Sequence, residues 1–384
     1  MATLVAVCCA TLLIGQSVGA VPVAAPATGG LDITAKSAFL MEANSGKILF
    51  EKNSDARLPI ASMVKIMTLA VIYDAIDAGD IALTDMVMVS QTAESMGGSQ
   101  AFLDFDSEYS VEELVRSIVI ASANDSCVAM AEHIAGSESE FVNRMNALAE
   151  KLGMTNTNFV NATGLPAPGG YSTAADVAKM YAYIMTKPSY SLFTGTWMYD
   201  LAHPSGRVTG LTNTNKHSRF FNGCDGGKTG FTQEAGHCIA VASKRGDLRP
   251  LAVIVGASDS KTRFAESAAL MNHVFDGYQN KKIVSRTDVL GEISLKGAKD
   301  DKAPVFAQTD FFDLVKKGDK TQPVVNVEIS DSAKAPLKAT DAVGTISVTV
   351  EGKVVKEIAV VTGADVETLT YWGAVKKIVS KYKF

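Results

Sequence analysis

Ser62 and Lys65, in the stretch PIASMVKIMT (residues 59–68), stand three residues apart at the head of an apolar run. A serine hydroxyl is a weak nucleophile until a neighbouring base takes its proton, and a buried, cation-crowded lysine is neutral enough to be that base. On a helix, residues i and i+3 share a face, which brings the amine within reach of the hydroxyl. At a helix start, free backbone N–H groups and the macrodipole favour a developing negative charge. Spacing alone decides little, because Ser-x-x-Lys recurs at Ser258/Lys261 and Ser380/Lys383. Position separates them: Ser62 follows Pro59 at a predicted helix start, Ser258 ends a predicted strand, and Ser380 lies in the terminal tail. Two further stretches can complete a site. SAND places Ser122 and Asn124 at a predicted junction between helices, and GGKTGFT places Lys228-Thr229-Gly230 at the start of a predicted edge strand. Singly they read as an N-cap and an ordinary turn; jointly with Ser62 and Lys65 they point to serine acyl transfer.

The elements that must position these groups follow from periodicity. Residues 37–51, SAFLMEANSGKILFE, alternate in short apolar runs around Asn44-Ser45-Gly46 and predict a β-hairpin. After Pro59 the steps become three and four residues, predicting a helix to about Ala78-Gly79, and helical patterns recur at 111–121, 125–135, 138–152 and 174–186. Residues 237–258 read as two strands around Arg245-Gly246-Asp247, and 259–277 as a closing helix. Strands at both ends with helices between them predict an α+β domain whose sheet is assembled from distant parts of the chain. From about Lys281, Val-rich segments such as GTISVTVEGKVVKEIAVV alternate in steps of two, with Ile346, Val348 and Val350 on one face. They predict a small antiparallel β-domain, a sandwich, to which no chemistry is assigned. The tail YWGAVKKIVSKYKF gathers Trp372, Val375, Ile378, Val379 and Tyr382 on one helical side with its lysines largely elsewhere, the pattern of a helix lying in an anionic membrane interface.

With 384 residues and 47% hydrophobic content the chain can bury at least one full core, and its length favours two domains. A net charge of −5 argues against a nucleic-acid partner, which would call for a basic footprint. The first residues, MATLVAVCCATLLIGQSVGA, lack Lys and Arg, carry an apolar run from Leu4 to Ile14 and end in small residues, so residues 1–20 read as a secretory signal. Cys127, Cys224 and Cys238 then remain, an odd number with no metal-type spacing; buried thiols are expected, with one bridge left open. His133, His203, His217, His237 and His273 form no His-x-x-x-His pair, which disfavours a metallopeptidase; no metal and no cofactor are predicted.

In this order, Ser-x-x-Lys, Ser-x-Asn and Lys-Thr-Gly resemble the active-site motifs of penicillin-binding proteins. The stretches SAFLMEANSGKILFEKNSDARLPIASMVKIMT, ASANDSCVAMAEHIAG, MNALAEKLGMTNTNFVNATGLPAPGGYSTAADVAKM and GCDGGKTGFTQEAGHCIAVAS resemble the low-molecular-mass D-alanyl-D-alanine carboxypeptidases of peptidase family S11. That resemblance implies a β-lactamase/DD-peptidase-like domain over residues 31–278, an antiparallel sheet with helices on both faces. A β-sandwich at 281–365 and an amphipathic membrane-anchor helix at 366–384 would follow. It implies Ser62 as acylated nucleophile, Lys65 as its base, Ser122 as proton relay and Asn124 as holder of the substrate amide. Lys228, Thr229 and Arg263 would grip the terminal carboxylate beside Gly230, with the N–H groups of Ser62 and Phe231 as oxyanion hole. The implied partners are a peptidoglycan stem peptide ending in D-Ala-D-Ala, β-lactams as inhibitors and the outer face of the cytoplasmic membrane. D,D-endopeptidase and β-lactamase activity are alternatives at the same site, and a non-catalytic envelope binding protein is a third.

Overall fold

A computed structural model describes residues 30–381. The predicted leader lies outside them. Five strands form the central sheet: β1 (Ser37–Glu42), β2 (Ile48–Lys52), β3 (Cys224–Thr232), β4 (Gly236–Ser243) and β5 (Pro250–Ala257). Their order is β2-β1-β5-β4-β3, antiparallel throughout. The first two strands form the predicted hairpin. Its turn is closed by Glu42 N–H donating to Lys47 O at 2.9 Å, with Gly46 in the left-handed region at φ +72°.

The helices of more than two turns are α1 (Lys65–Ala78), α2 (Val111–Ala121), α3 (Asn124–Ala135), α4 (Glu138–Lys151), α5 (Ala174–Ile184), α6 (Ser260–Gly277) and α7 (Tyr371–Lys381). The sheet divides them. Phe39, Ala240, Ala242, Val253 and Val255 point into the core shared with α1 to α5. Their chain neighbours Ala38, Leu40, Ile239, Val241, Ala252 and Ile254 point the other way, onto Leu270, Met271 and Val274 of α6. Both faces of the central strands are therefore buried, which is why these segments read as continuous apolar runs rather than as alternation. Helix α1 departs from a one-sided stripe: every residue from Ile66 to Tyr73 is buried, because α3, α4 and α5 all pack around it.

Residues 278–361 build the second domain. Val324–Ile329, Ala342–Val350, Lys353–Val361, Lys302–Ala307, Gly291–Lys296 and Ser332–Lys334 form a six-stranded sheet in that order, and Tyr278–Val284 pairs with Phe311–Lys316. Together they make a small β-sandwich around Ile293, Val305, Ile346, Val348 and Val360, all essentially inaccessible. One pairing departs from the antiparallel expectation: Gly291–Lys296 runs parallel to Ser332–Lys334. Three strands intervene between them, so no short turn forces the reversed direction. Lys47 in the β1–β2 hairpin ties the domains together, its Nζ 2.7 Å from Asp313 Oδ1 and 2.9 Å from Leu314 O.

Candidate active site

Ser62 sits in a short 3-10 turn, Ala61–Val64, that leads directly into α1. One turn on, the Lys65 side chain folds back, placing Nζ 3.0 Å from Ser62 Oγ and 2.6 Å from the carbonyl oxygen of Thr163. Lys65 is fully buried, and burial lowers its pKa to about 8, with the Asp125 carboxylate acting in the opposite direction. An amine that loses its proton near that pH and touches a half-buried hydroxyl can accept the hydroxyl proton. Ala61, just before Ser62, is held at φ +48°. Its carbonyl is approached so closely by Gly164 that a Cβ there would lie 2.1 Å from the oxygen. Glycine is the one residue this approach tolerates.

Ser122 is the residue that ends α2 and turns the chain into α3, in the left-handed region at φ +65°. Such strain in a non-glycine residue persists only where the surroundings impose it. The turn directs Asn124 back toward the loop before α2: its Nδ2 donates to Gly97 O at 2.6 Å and its N–H to Ser99 O at 2.7 Å. Ser122 Oγ and Asn124 Oδ1 are both buried without a hydrogen-bond partner. Buried polar atoms without a partner cost free energy, about 1–3 kcal/mol each, so both atoms retain hydrogen-bonding capacity that the protein itself does not use.

The third wall is the edge strand β3. Gly230 lies against the Ser62 turn, where a Cβ would meet Ile60 O at 2.8 Å and Ser62 N at 3.1 Å. Lys228 is buried, and its pKa is pushed well below the ordinary lysine value, first by burial and then by the Lys65 charge. Thr229 Oγ1 donates to Thr214 Oγ1 at 2.9 Å. Phe231 is exposed and stacks on His237 with ring centres 4.4 Å apart. Arg263 reaches the strand from α6 and donates from Nη1 to the carbonyls of Gly230 at 3.0 Å and Cys238 at 3.3 Å. Its Nε is buried and unpaired.

All the residues predicted for the site thus come from three walls: the Ser62 turn, the α2–α3 junction and β3 with its α6 support. Ser258 Oγ bonds Asp259 and Thr262 at the start of α6, and Lys383 lies outside the described residues. Several contributors escaped sequence reading: the Thr163 carbonyl, Thr214, Gly164, and Asp125, whose buried carboxylate accepts from Ala101 N and Leu103 N to hold the loop beside Asn124. The Asn161-Ala162-Thr163-Gly164 run carried the one available signal, a turn sequence inside a buried region. Cys127, Cys224 and Cys238 are free thiols, and burial raises the Cys127 pKa to about 12.

A sequence model of the D-alanyl-D-alanine carboxypeptidase family, peptidase S11, matches residues 22–259. The chain belongs to that family. A second model, for the C-terminal domain of penicillin-binding protein 5, matches residues 278–368. D-alanyl-D-alanine carboxypeptidase DacF of Bacillus subtilis is 39% identical over 341 residues, 88% of each chain. DacC of Escherichia coli is 32% identical over 362 residues, covering 89% of this chain and 87% of that one. Penicillin-binding protein 5 from Haemophilus influenzae superposes with a TM-score of 0.72 at 29% identity, over 88% of this chain and 98% of that one. Family S11 membership makes the protein a serine-type D-alanyl-D-alanine carboxypeptidase with the penicillin-binding fold and its trailing β-sandwich.

Proposed function

We propose that the protein removes the terminal D-alanine of peptidoglycan pentapeptides through an acyl-enzyme on Ser62. The observation that carries this is the 3.0 Å contact between Ser62 Oγ and an amine whose pKa burial has lowered to about 8. Neutral Lys65 takes the hydroxyl proton as Ser62 Oγ attacks the carbonyl carbon between the two D-alanines. The N–H groups of Ser62 and Phe231 hold the resulting oxyanion, and Asn124 Oδ1, unpaired in the free protein, accepts from the substrate amide. The proton passes through Ser122 Oγ to the leaving nitrogen, the C–N bond breaks and D-alanine departs. Water then cleaves the ester, releasing the shortened peptide and restoring Ser62.

Lys228 and Thr229 hold the substrate carboxylate, with the Arg263 charge behind them. Burial disfavours the Lys228 ammonium in the free protein, and a carboxylate beside it restores the charged form, so binding draws a proton onto Lys228. β-Lactams, which carry a carboxylate next to a reactive carbonyl, enter the same site and acylate Ser62. Export by residues 1–20, and attachment to the outer face of the cytoplasmic membrane through the C-terminal tail, complete the proposal.

The test is labelling with a fluorescent penicillin beside Ser62→Ala, followed by D-alanine release from a peptide ending in D-Ala-D-Ala. Loss of label and of D-alanine release in the variant is the expected result. A folded Ser62→Ala protein that still takes label would overturn the assignment of the nucleophile.

A further inference from the structure

The loop of residues 97–106 has two sides. Inward, the Gly97 and Ser99 carbonyls receive Asn124, and Asp125 holds the Ala101 and Leu103 N–H groups. Outward, the loop presents Phe102 and Phe105, 55% and 57% exposed. Neither ring belongs to the site described above. Their exposure is imposed by the backbone: Phe102 and Asp106 both occupy the left-handed region, at φ +61° and +54°. That conformation costs free energy for a residue with a side chain and persists only where the surroundings hold it. A polar network from the neighbouring hairpin, Met198–Ala202 paired with Val208–Thr212, does the holding. In its turn, Arg207 Nη2 donates to Phe102 O and, at 2.7 Å, to Asp104 Oδ1, while Ser205 Oγ donates to Asp104 Oδ2 at 2.6 Å. Tyr109 Oη accepts from Asp104 N–H at 3.0 Å and lies 2.7 Å from His203 Nδ1. Exposed apolar side chains flank the two rings: Val208 next to Arg207, and Met88 next to Val89, whose backbone bonds to Asp106 and Ser107.

Size and chemistry narrow what such a surface meets. A buried aromatic side chain removes about 150–250 Å² from water, so two half-exposed rings offer roughly 200 Å². A stable protein interface needs about 800 Å² per partner, and this patch falls well short of it. One or two sugar rings match it. A pyranose carries C–H groups that suit the negative face of an aromatic ring, and hydroxyls that suit fixed donors and acceptors. The partly exposed Arg207–Asp104 pair supplies those beside the rings. Position agrees. The base of the loop closes on the cleft, where a Cβ on Gly98 would meet Asn124 Nδ2 at 2.9 Å and Leu165 Cδ2 at 3.6 Å. Phe102 follows Ser99 by three residues, so it lies within roughly 11 Å of the Asn124 contact. The acyl part of a pentapeptide, about four residues, spans at most roughly 14 Å from the bond cleaved to the sugar that carries it. We propose that Phe102 and Phe105 bind the glycan of peptidoglycan, seating the sugar from which the stem peptide hangs. The inference rests on the acyl-enzyme reading above, which puts the stem peptide in the cleft.

The experiment compares kcat/KM for D-alanine release from two substrates, a disaccharide pentapeptide and the same pentapeptide acetylated in place of the sugar. The native protein is expected to favour the sugar-bearing substrate by about tenfold, the size of one or two good ring contacts. In the double variant Phe102→Ala, Phe105→Ala the ratio falls to about one, while turnover of the free peptide and the rate of penicillin labelling stay as in the native protein. Phe105→Trp, which keeps an aromatic face, retains the preference. A native ratio of one, or a preference that survives in the double variant, overturns the glycan assignment and leaves the Ser62 chemistry intact. Equal losses on both substrates also overturn it, since the rings would then only brace the Asn124 wall. Absence of Ser62 labelling in the folded native protein overturns the acyl-enzyme reading and the glycan assignment with it.

Discussion

At pH 7 an amine with a pKa of about 8 is neutral in about one molecule in ten, and that fraction is what Lys65 offers to Ser62. Lowering the pH protonates Lys65 and removes the base; raising it through the pKa supplies the base fully. The acylation rate constant at saturating penicillin should therefore rise about tenfold per pH unit at the acid end and level off near or slightly below pH 8. Saturation matters because, in the proposed binding mode, the ligand carboxylate then already pairs Lys228, whose own titration drops out. A stopped-flow series from acid to mildly alkaline pH tests this, and a flat profile would remove Lys65 from the base role. The identity of both residues was legible in PIASMVKIMT, since i and i+3 meet on any helix. The depressed pKa was not, because it comes from burial by α3, α4 and α5, which arrive from more than fifty residues away in the chain.

Among the elements, the helices and the paired strands follow the apolar periods closely, and β3 lies at the sheet edge as predicted, although it begins at Cys224, so Lys228-Thr229-Gly230 fall inside it rather than at its start. The loop of residues 158–171 is different: it has no period, yet it supplies the Thr163 carbonyl to Lys65 and presses Gly164 onto the Ser62 turn. Gly164→Ala would force a side chain into φ +78° and into the Ala61 carbonyl, at a cost of about 2 kcal/mol or more. Denaturant unfolding should show that loss, and penicillin acylation should slow because the Ser62 turn must shift. Unchanged stability together with unchanged acylation would mean that the loop does not brace the nucleophile.

In the whole molecule, the two domains place the catalytic sheet and the tail at opposite ends of the β-sandwich sequence. Residues past 365 still bond to that domain: Val366 bridges Leu337 and Leu369 N–H donates to Gly297 O. Helix α7 follows, docked through Lys377 onto the carbonyls of Ala298 and Lys299, while Trp372 (73%), Ile378 (60%) and Val379 (64%) remain exposed. No helix among the described residues is long and apolar enough to cross a membrane. An outward apolar face with flanking lysines supports lying on a bilayer instead. Deletion should therefore begin at Tyr371, sparing the β-domain pairing. The shortened protein is expected to leave anionic vesicles in a flotation assay while keeping its turnover of soluble peptide; continued flotation would show that the tail is not the anchor.

By itself the sequence determined the chemistry-bearing groups, the order of the elements and the family, because motif spacing and hydrophobic period are local properties of the chain. Tertiary structure decided what those groups can do. Ser62, Ser122 and Lys228 lie tens of residues apart, and only packing of distant segments removes water from Lys65 and leaves Ser122 Oγ and Asn124 Oδ1 buried and unpaired. Desolvation and unsatisfied polar atoms belong to a packed assembly rather than to any segment of it, so no reading of local pattern could have supplied them.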